Sequence, residues 1–173
     1  MVKSYHFCDE FFKLTVRHMS LYTSLSERLK TQHLTIEQLV ADISNDKLIT
    51  PPVPGKWSAL DNIAHLARYQ KIFTDRIHLI LNEDTPVFDR YTGDLDPEFI
   101  PFRSMGLREL LDMINTYRTT IIDLLSGLSD TELSRIGVHP KYGRLTILKW
   151  AEFFVLHEAH HLFTIFQLVN GAE

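Results

Sequence analysis

Two histidines near the carboxyl end of the chain, His157 and His161, are four residues apart in the segment H-E-A-H-H. On a helix, residues at positions i and i+4 lie one above the other on the same face. Two imidazoles placed in this way can bind one divalent metal ion, at about 2.0–2.1 Å per nitrogen. The spacing therefore predicts that His157 and His161 are ligands of the same metal.

The same letters also fit H-E-x-x-H, the motif of zinc peptidases. A peptidase of that type takes its third ligand from a residue well downstream, but the residues after His161 contain no further histidine and one carboxylate, Glu173. No upstream segment resembles an edge strand that would hold an extended peptide. A metallopeptidase is therefore disfavoured, and the third ligand is expected upstream, where His65 is the best candidate.

Three further residues are candidates beside this trio. Glu158 is either a general base that polarises a water on the metal or a supporting or solvent-facing residue, and we favour the second interpretation. Tyr69 follows His65 by four residues, so its hydroxyl could orient water or substrate, although packing of its ring is an equal alternative. His160 is expected to flank the site or to be exposed. Trp57 and Trp150 are interpreted as packing residues, and the remaining histidines as surface or structural: His6, His18, His33, His78 and His139.

Apolar residues that recur at helical spacing predict the elements that must position these side chains. Four long helices are expected, at about 10–44 (with a break near 31–35), 59–82, 105–127 and 147–170, with a short helix at 130–135. Ser58 with Asp61 and Thr146 are the expected caps of the second and fourth long helices. No segment shows a convincing period of two. The sequence predicts an all-α, four-helix bundle in a single domain over residues 1–173, in which 1–19 extend the first helix.

Composition limits the class of protein. The 173 residues are 45% hydrophobic and 23% charged with a formal net charge of -4, as expected for a soluble globular domain and not for a nucleic-acid-binding one. Cys8 is the only cysteine, so no intramolecular disulfide can form, and a reducing cytoplasm fits. No apolar run approaches the ~18 residues of a membrane helix, and the amino terminus lacks the apolar stretch of a signal peptide. We therefore expect a cytoplasmic protein with no membrane partner.

The connection at 82–103 is long and contains three prolines and a glycine. Acidic residues alternate there with the aromatic residues Phe88, Tyr91, Phe99 and Phe102. Loops of this length without a role are uncommon. The segment is interpreted as a lid, as a dimer contact, or as a loop whose aromatic side chains pin it to the bundle.

Two motifs together resemble those of the DinB/YfiT-like superfamily. The first is the segment P-G-K-W-S at 54–58, followed by Asp61 and His65, and the second is the H-E-A-H-H segment at 157–161. The resemblance implies an up-down-down-up bundle with a long crossover between helices two and three, which residues 82–103 can supply. It also implies that His65, His157 and His161 bind zinc or nickel, with water in the open positions, and that the chain forms a homodimer. One departure is Thr164, where members often have a glutamine.

The resemblance implies a metal-dependent enzyme that acts on a small molecule. Superfamily members include transferases and isomerases that use low-molecular-weight thiols, as well as proteins described as hydrolases. The leading hypothesis is therefore a thiol S-transferase or a hydrolase in which the metal activates a thiol or water. The alternatives are a non-catalytic metal-binding or stress-associated helical dimer and a dimerisation module with a vestigial histidine cluster.

Overall fold

Three long helices and one interrupted helix form a bundle in the computed structural model, which describes residues 21–171. The predicted extension at 1–19 lies outside these residues. In chain order the elements are α1 (Thr23–Thr31), α2 (Thr35–Val40), α3 (Asn45–Ile49), α4 (Ala59–Asn82), α5 (Phe99–Arg103), α6 (Leu107–Ser126), α7 (Asp130–Leu133), β1 (Ile136–His139), β2 (Gly143–Thr146) and α8 (Ile147–Asn170).

The direction of each long helix follows from the two layers of the apolar core. One layer joins the start of α1 and α8 to the ends of α4 and α6, through Leu25, Leu29, Phe73, Ile77, Ile80, Ile121, Leu125, Ile147 and Trp150. The other joins α2 and the end of α8 to the starts of α4 and α6, through Ile36, Val40, Ile63, Leu66, Leu110, Ile114, Leu162 and Ile165. Helices α4 and α6 therefore run parallel to each other and antiparallel to α1–α2 and α8. This is the predicted up-down-down-up four-helix bundle, and it requires the chain to cross the length of the bundle between α4 and α6.

The first helix is broken where the sequence predicted a break. A 3₁₀ turn at Gln32–Leu34 separates α1 from α2, and it turns the Gln32 side chain towards α8, where its Nε2 donates to the backbone oxygen of Val155 at 2.8 Å. The helix ends at Val40 rather than near 44. Ser44 then caps the short helix α3, which the sequence did not predict.

The helices that carry the candidate ligands begin at the predicted caps. Ser58 and Asp61 form a reciprocal capping box at the start of α4, and the Thr146 hydroxyl accepts from the Lys149 amide at the start of α8. Each cap satisfies backbone N–H groups that have no partner within the helix. These caps fix where each helix starts, and therefore which residues of α4 and α8 face the bundle.

Residues 136–146, where neither a helix nor a strand was predicted, contain two short strands, and the other elements of the described chain are helical. Strands β1 and β2 form an antiparallel hairpin, and Gly143, the first residue of β2 after the turn, has a φ of 70°. Each strand has only four residues, which is too short for a period of two to stand out. Gly137 lies against Ile80 and Phe88, where a Cβ would approach within 2.7 Å of Ile80, so this glycine lets the hairpin pack directly on the end of α4.

The long crossover is pinned to the bundle by its aromatic residues, which was one of the three interpretations of this segment. Phe88, Phe99 and Phe102 are buried, and the backbone amide of Phe88 donates to the backbone oxygen of Val138 in the hairpin at 3.1 Å.

No helix within residues 21–171 is long and apolar enough to cross a membrane.

Candidate metal centre

The structure brings His65, His157 and His161 together. One ring nitrogen from each lies within 4.8 Å of the others, and the Nε2 atoms of His65 and His157 are 3.2 Å apart. His65 projects from α4, and the other two project from the antiparallel helix α8. We refer to these three residues as the histidine cluster.

The orientation of His161 is set by a side chain from the facing helix. Its Nδ1 lies 2.8 Å from Oδ1 of the buried Asn62, one turn before His65 on α4. An amide oxygen can only accept, so Nδ1 carries the proton and Nε2 is left with a free lone pair. Such outer hydrogen bonds fix the tautomer and direction of metal-binding histidines. The sequence analysis missed Asn62, although its spacing of three from His65 places both on one face of α4.

All three imidazoles are held neutral. Burial, and secondarily the neighbouring histidines, lower the pKa of His65 to about 2, of His157 to about 3 and of His161 to about 4. A neutral imidazole is the form that binds a metal ion. The cluster therefore does not need to lose protons to solution before it binds a cation near neutral pH.

The donor set fits a divalent transition metal. Within the described part of the chain, Nδ1 of His65 and Nδ1 of His157 are buried without a hydrogen-bond partner, and the two Nε2 atoms face each other without a carboxylate between them. The converging Nε2 atoms are placed to direct their lone pairs at one cation. Three imidazole nitrogens at this spacing suit zinc or nickel, and they leave coordination positions open.

Aromatic rings form the wall of the cluster on the crossover side. Trp57 lies 5.0 Å from the His65 ring, between centroids, and its Nε1 donates to Asp94 of the crossover at 2.8 Å. Tyr91, also from the crossover, stacks on His65 at 5.6 Å. Trp57 is thus more than a packing residue of the bundle, because it connects the cluster to the crossover.

Tyr69 lies where its spacing from His65 predicted. Its ring centroid is 4.1 Å from that of His157, and the residue is buried. Burial raises the pKa of the Tyr69 hydroxyl, and this outweighs the opposing effect of Arg76. The phenol is therefore protonated near neutral pH and can donate a hydrogen bond but not act as a base.

The histidine cluster opens into a broad cleft with a volume of about 1330 Å³. The crossover, the β-hairpin and one face of α8 surround it. Aromatic side chains line its inner part, and Arg76, Arg90, Lys141, Lys149 and Glu152 contribute charge. A site of this kind is accessible to a small molecule, unlike a metal site that is sealed inside the core.

Glu158 points away from the cluster, although it is adjacent to His157 in the sequence. It is 1% exposed and forms an ion pair with the equally buried Arg118 of α6, while Gln32 donates to its other oxygen at 2.9 Å. The idea of a solvent-facing Glu158 is therefore wrong. Both carboxylate oxygens bind partners on the core side of α8, so the geometry gives no support to a general base at this position.

The other histidines differ in their surroundings. His160 and His78 are exposed, as expected. His33 is buried, and its Nδ1 lies 3.3 Å from the Arg118 guanidinium. His139 accepts from the backbone amides of Lys141 and Tyr142 at 3.1 Å, which fixes the hairpin turn. His6 and His18 lie outside the described residues.

A family model for the DinB superfamily matches residues 28–165. Among curated proteins, a "Putative metal-dependent hydrolase" of Oceanobacillus iheyensis is 28% identical over 127 residues, which is 73% of each chain. The protein YuaE of Bacillus subtilis, which is uncharacterised, is 23% identical over 69% of this chain and 82% of its own length.

A solved structure supports the same fold. YfiT from Bacillus subtilis, titled "a probable metal-dependent hydrolase with an unusual four-helix bundle topology", superposes with a TM-score of 0.74 at 23% identity, covering 84% of this chain and 83% of YfiT. At this identity the match concerns the fold alone. The family model covers most of the helical bundle, including all three clustered histidines, and on that evidence the chain belongs to the DinB superfamily.

Proposed function

We propose that the protein is a metal-dependent enzyme that activates a thiol or a water molecule for transfer to, or hydrolysis of, a small molecule. The observation that carries this proposal is the convergence of His65, His157 and His161 at the base of an open cleft. The relative from Oceanobacillus iheyensis is described by a name of the same class. The metal is proposed to be zinc or nickel.

The three histidines would hold the cation and leave positions open for the nucleophile. When bound, such a metal acts as a Lewis acid that lowers the pKa of the group it coordinates. Asn62 fixes the tautomer of His161, and the rings of Trp57, Tyr69 and Tyr91 exclude bulk water from one side. The Tyr69 hydroxyl would donate a hydrogen bond to the substrate or to the nucleophile.

The charges around the cluster favour a thiol over water as the nucleophile. Among the described residues, Glu152 is the carboxylate that lines the cleft, and it is already ion-paired with Arg28 at 2.7 Å, while Glu158 faces the core. No carboxylate is therefore placed to take a proton from water. A thiol, with an unperturbed pKa of about 8.5, loses its proton to solvent much more readily. In the proposed transfer, the sulfur forms a bond to an electrophilic carbon, the leaving group departs with its electron pair, and the thiol proton passes to solvent.

The set of three protein ligands also argues against the alternative of a purely structural metal, because structural zinc sites usually have four. The homodimer, the small-molecule substrate and the cytoplasmic location remain predictions from the sequence.

A parallel screen tests the proposed reaction. Zinc-loaded and nickel-loaded protein would be assayed with a panel of activated esters and amides, and with an alkylating electrophile together with cysteine or 2-mercaptoethanol. We expect thiol-dependent turnover that His157→Ala abolishes and that the control His78→Ala, which changes an exposed histidine of α4 outside the cleft, retains. Equal turnover by both variants, or none in any assay of the fully loaded protein, would contradict the proposal.

A further inference from the structure

Three arginines are buried in the described part of the chain, and they differ in their partners. Arg118 is paired with Glu158, and Arg68 is paired with Asp96 at 2.8 Å and also with Glu98. Arg76 is 9% exposed, yet none of the carboxylates in residues 21–171 forms an ion pair with it. Burying a cation is costly unless an anion compensates its charge.

The contacts of Arg76 hold its side chain in place without neutralising it. The guanidinium lies 5.3 Å from the ring centroid of Phe88 and 5.5 Å from that of Trp150, and one terminal nitrogen donates to the backbone oxygen of Asp89 at 3.0 Å. The guanidinium also hydrogen-bonds to the Tyr69 hydroxyl. Its cation–π contacts and these two oxygen acceptors still leave N–H donors available, because a guanidinium carries five. A guanidinium fixed in this way is preorganised for a planar, bidentate anion.

Arg76 faces the same cleft as the histidine cluster. Residues 65, 69 and 76 recur at spacings of four and seven, which place them on one face of α4, and all three line the cleft. The Tyr69 hydroxyl that Arg76 contacts belongs to a ring whose centroid lies 4.1 Å from that of His157, so Tyr69 connects the guanidinium to the histidine cluster. About 16 Å of helix separates the Cα atoms of His65 and Arg76, part of which the long arginine side chain spans.

The cleft is positively charged on an acidic protein. The chain has a formal net charge of -4, but four cationic side chains line the cleft, Arg76, Arg90, Lys141 and Lys149, against Glu152, whose charge is compensated by Arg28. A concave surface with one sign of charge attracts ligands of the opposite sign.

We propose that Arg76 binds an oxyanion of the substrate, a carboxylate or a phosphate, while the reacting group of the same molecule reaches the histidine cluster. The substrate is then an anionic small molecule whose charged group is several bonds from the reacting atom. Arg90, Lys141 and Lys149 attract it to the cleft, and Arg76 fixes its orientation. This inference deepens the proposed function and relies on it only for the role of the metal.

The test is anion binding by metal-free, chelator-treated protein at low ionic strength, where attraction between charges is least screened. Isothermal titration calorimetry would compare succinate and inorganic phosphate, which distinguish the two oxyanions, with the neutral analogue succinamide. We expect wild type to bind at least one of the anions and not succinamide. Arg76→Gln should weaken that binding at least tenfold. The control Arg144→Gln, which removes the same charge from an exposed position outside the cleft, should leave it within twofold.

Arg76→Met provides a second variant if Arg76→Gln fails to fold, because its apolar side chain can still pack against Phe88 and Trp150. Equal affinity of wild type and the Arg76 variant for the anion would overturn the assignment, and so would no binding of either anion or equal binding of succinamide. The two proposals fail separately. If the protein binds an anion through Arg76 but takes up no metal, the role of Arg76 stands and the proposed metalloenzyme is refuted. If it takes up metal but binds neither anion, the role of Arg76 is refuted and the metal site stands.

Discussion

Helix α8 carries two polar clusters that begin at adjacent residues and face opposite sides of the helix. On the core side, Glu158 is surrounded by Arg118, Gln32 and, through Arg118, His33 and Gln70. We refer to these five residues as the arginine network. On the cleft side, His157 joins His65 and His161, where two buried ring nitrogens have no partner among the described residues. One cluster is closed and compensated, and the other is open and incomplete.

This difference separates a structural role from a functional one. Arg118 and Glu158 are each 1% exposed, and Arg118 also donates to the backbone oxygen of Leu29 at 3.0 Å, so the network ties α1 and α6 to α8. The histidine cluster contains no anion, and its set of hydrogen bonds is incomplete. Both features are expected of a cation site before the cation binds. Fully satisfied buried networks rigidify a core, whereas incomplete ones mark sites that bind something.

The largest effect on folding is expected from breaking the arginine network. Arg118→Ala leaves the Glu158 carboxylate buried without a counter-charge, and it should lower the free energy of unfolding by about 3–5 kcal/mol. Urea denaturation would measure this, with Arg108→Ala, an exposed arginine on the same helix, as a control expected within about 0.5 kcal/mol. A small effect of Arg118→Ala would mean that the network is not a structural element.

Removing a ligand from the histidine cluster should affect metal binding strongly and folding only slightly. His157→Ala removes one of three ligands and should weaken zinc binding at least ~100-fold, or about 2.7 kcal/mol. The metal-free variant should keep its free energy of unfolding within about 1 kcal/mol of wild type, since the lost ring has an unpartnered nitrogen. Competition with a chromogenic chelator would give the zinc affinity. A His157→Ala variant with a destabilised apoprotein and unchanged zinc affinity would contradict the functional role assigned to the cluster.

A smaller effect is expected at Asn62, which touches the cluster only through His161. Asn62→Ala should reduce zinc affinity by about 10–100-fold, because the tautomer and direction of His161 are no longer fixed. The same chelator competition would measure this. The control Asn115→Ala, in an exposed position of α6, should have no effect on zinc affinity, and an Asn62 variant with wild-type affinity would show that the His161 contact is incidental.

The effect that is smallest near neutral pH is the titration of His33. Burial, and secondarily the charge of Arg118, lower the pKa of His33 to about 4, against about 6.5 in the unfolded chain. Between these values the unfolded state binds a proton that the folded state does not, so this contribution to stability is complete above pH 6.5 and is lost as the pH falls towards 4. His33→Gln should therefore flatten the dependence of unfolding free energy on pH in that window, while His78→Gln, at an exposed position, should not. Identical slopes for wild type and His33→Gln would contradict this.

Much of the site could be predicted from the sequence because its main ligands follow helical periodicity. His157 and His161 share a face of α8 by spacing alone, and the expected caps at Ser58 and Thr146 set the phase of both helices. The opposite orientation of Glu158 could not be read from the same motif. It depends on Arg118, which is 40 residues away and reaches Glu158 only after α6 packs beside α8.

The hairpin and the Arg76 side of the cleft were missed for a related reason. Strand β1 is fixed by contacts with Ile80 and Phe88 around Gly137, which are distant in sequence and have no local signature. The spacing of Arg76 from His65 and Tyr69 does place it on the ligand face of α4, but its lack of a carboxylate partner is visible only in the folded chain.

Metal content is the most direct test of the central claim that the three histidines form a metal site. Elemental mass spectrometry of untagged protein, purified without chelator and reloaded with zinc or nickel, should give about one equivalent per chain in wild type and in His160→Ala. The double variant His65→Ala/His157→Ala should contain almost none. Equal metal in wild type and the double variant, or none in either after reloading, would show that the cluster is not a metal site.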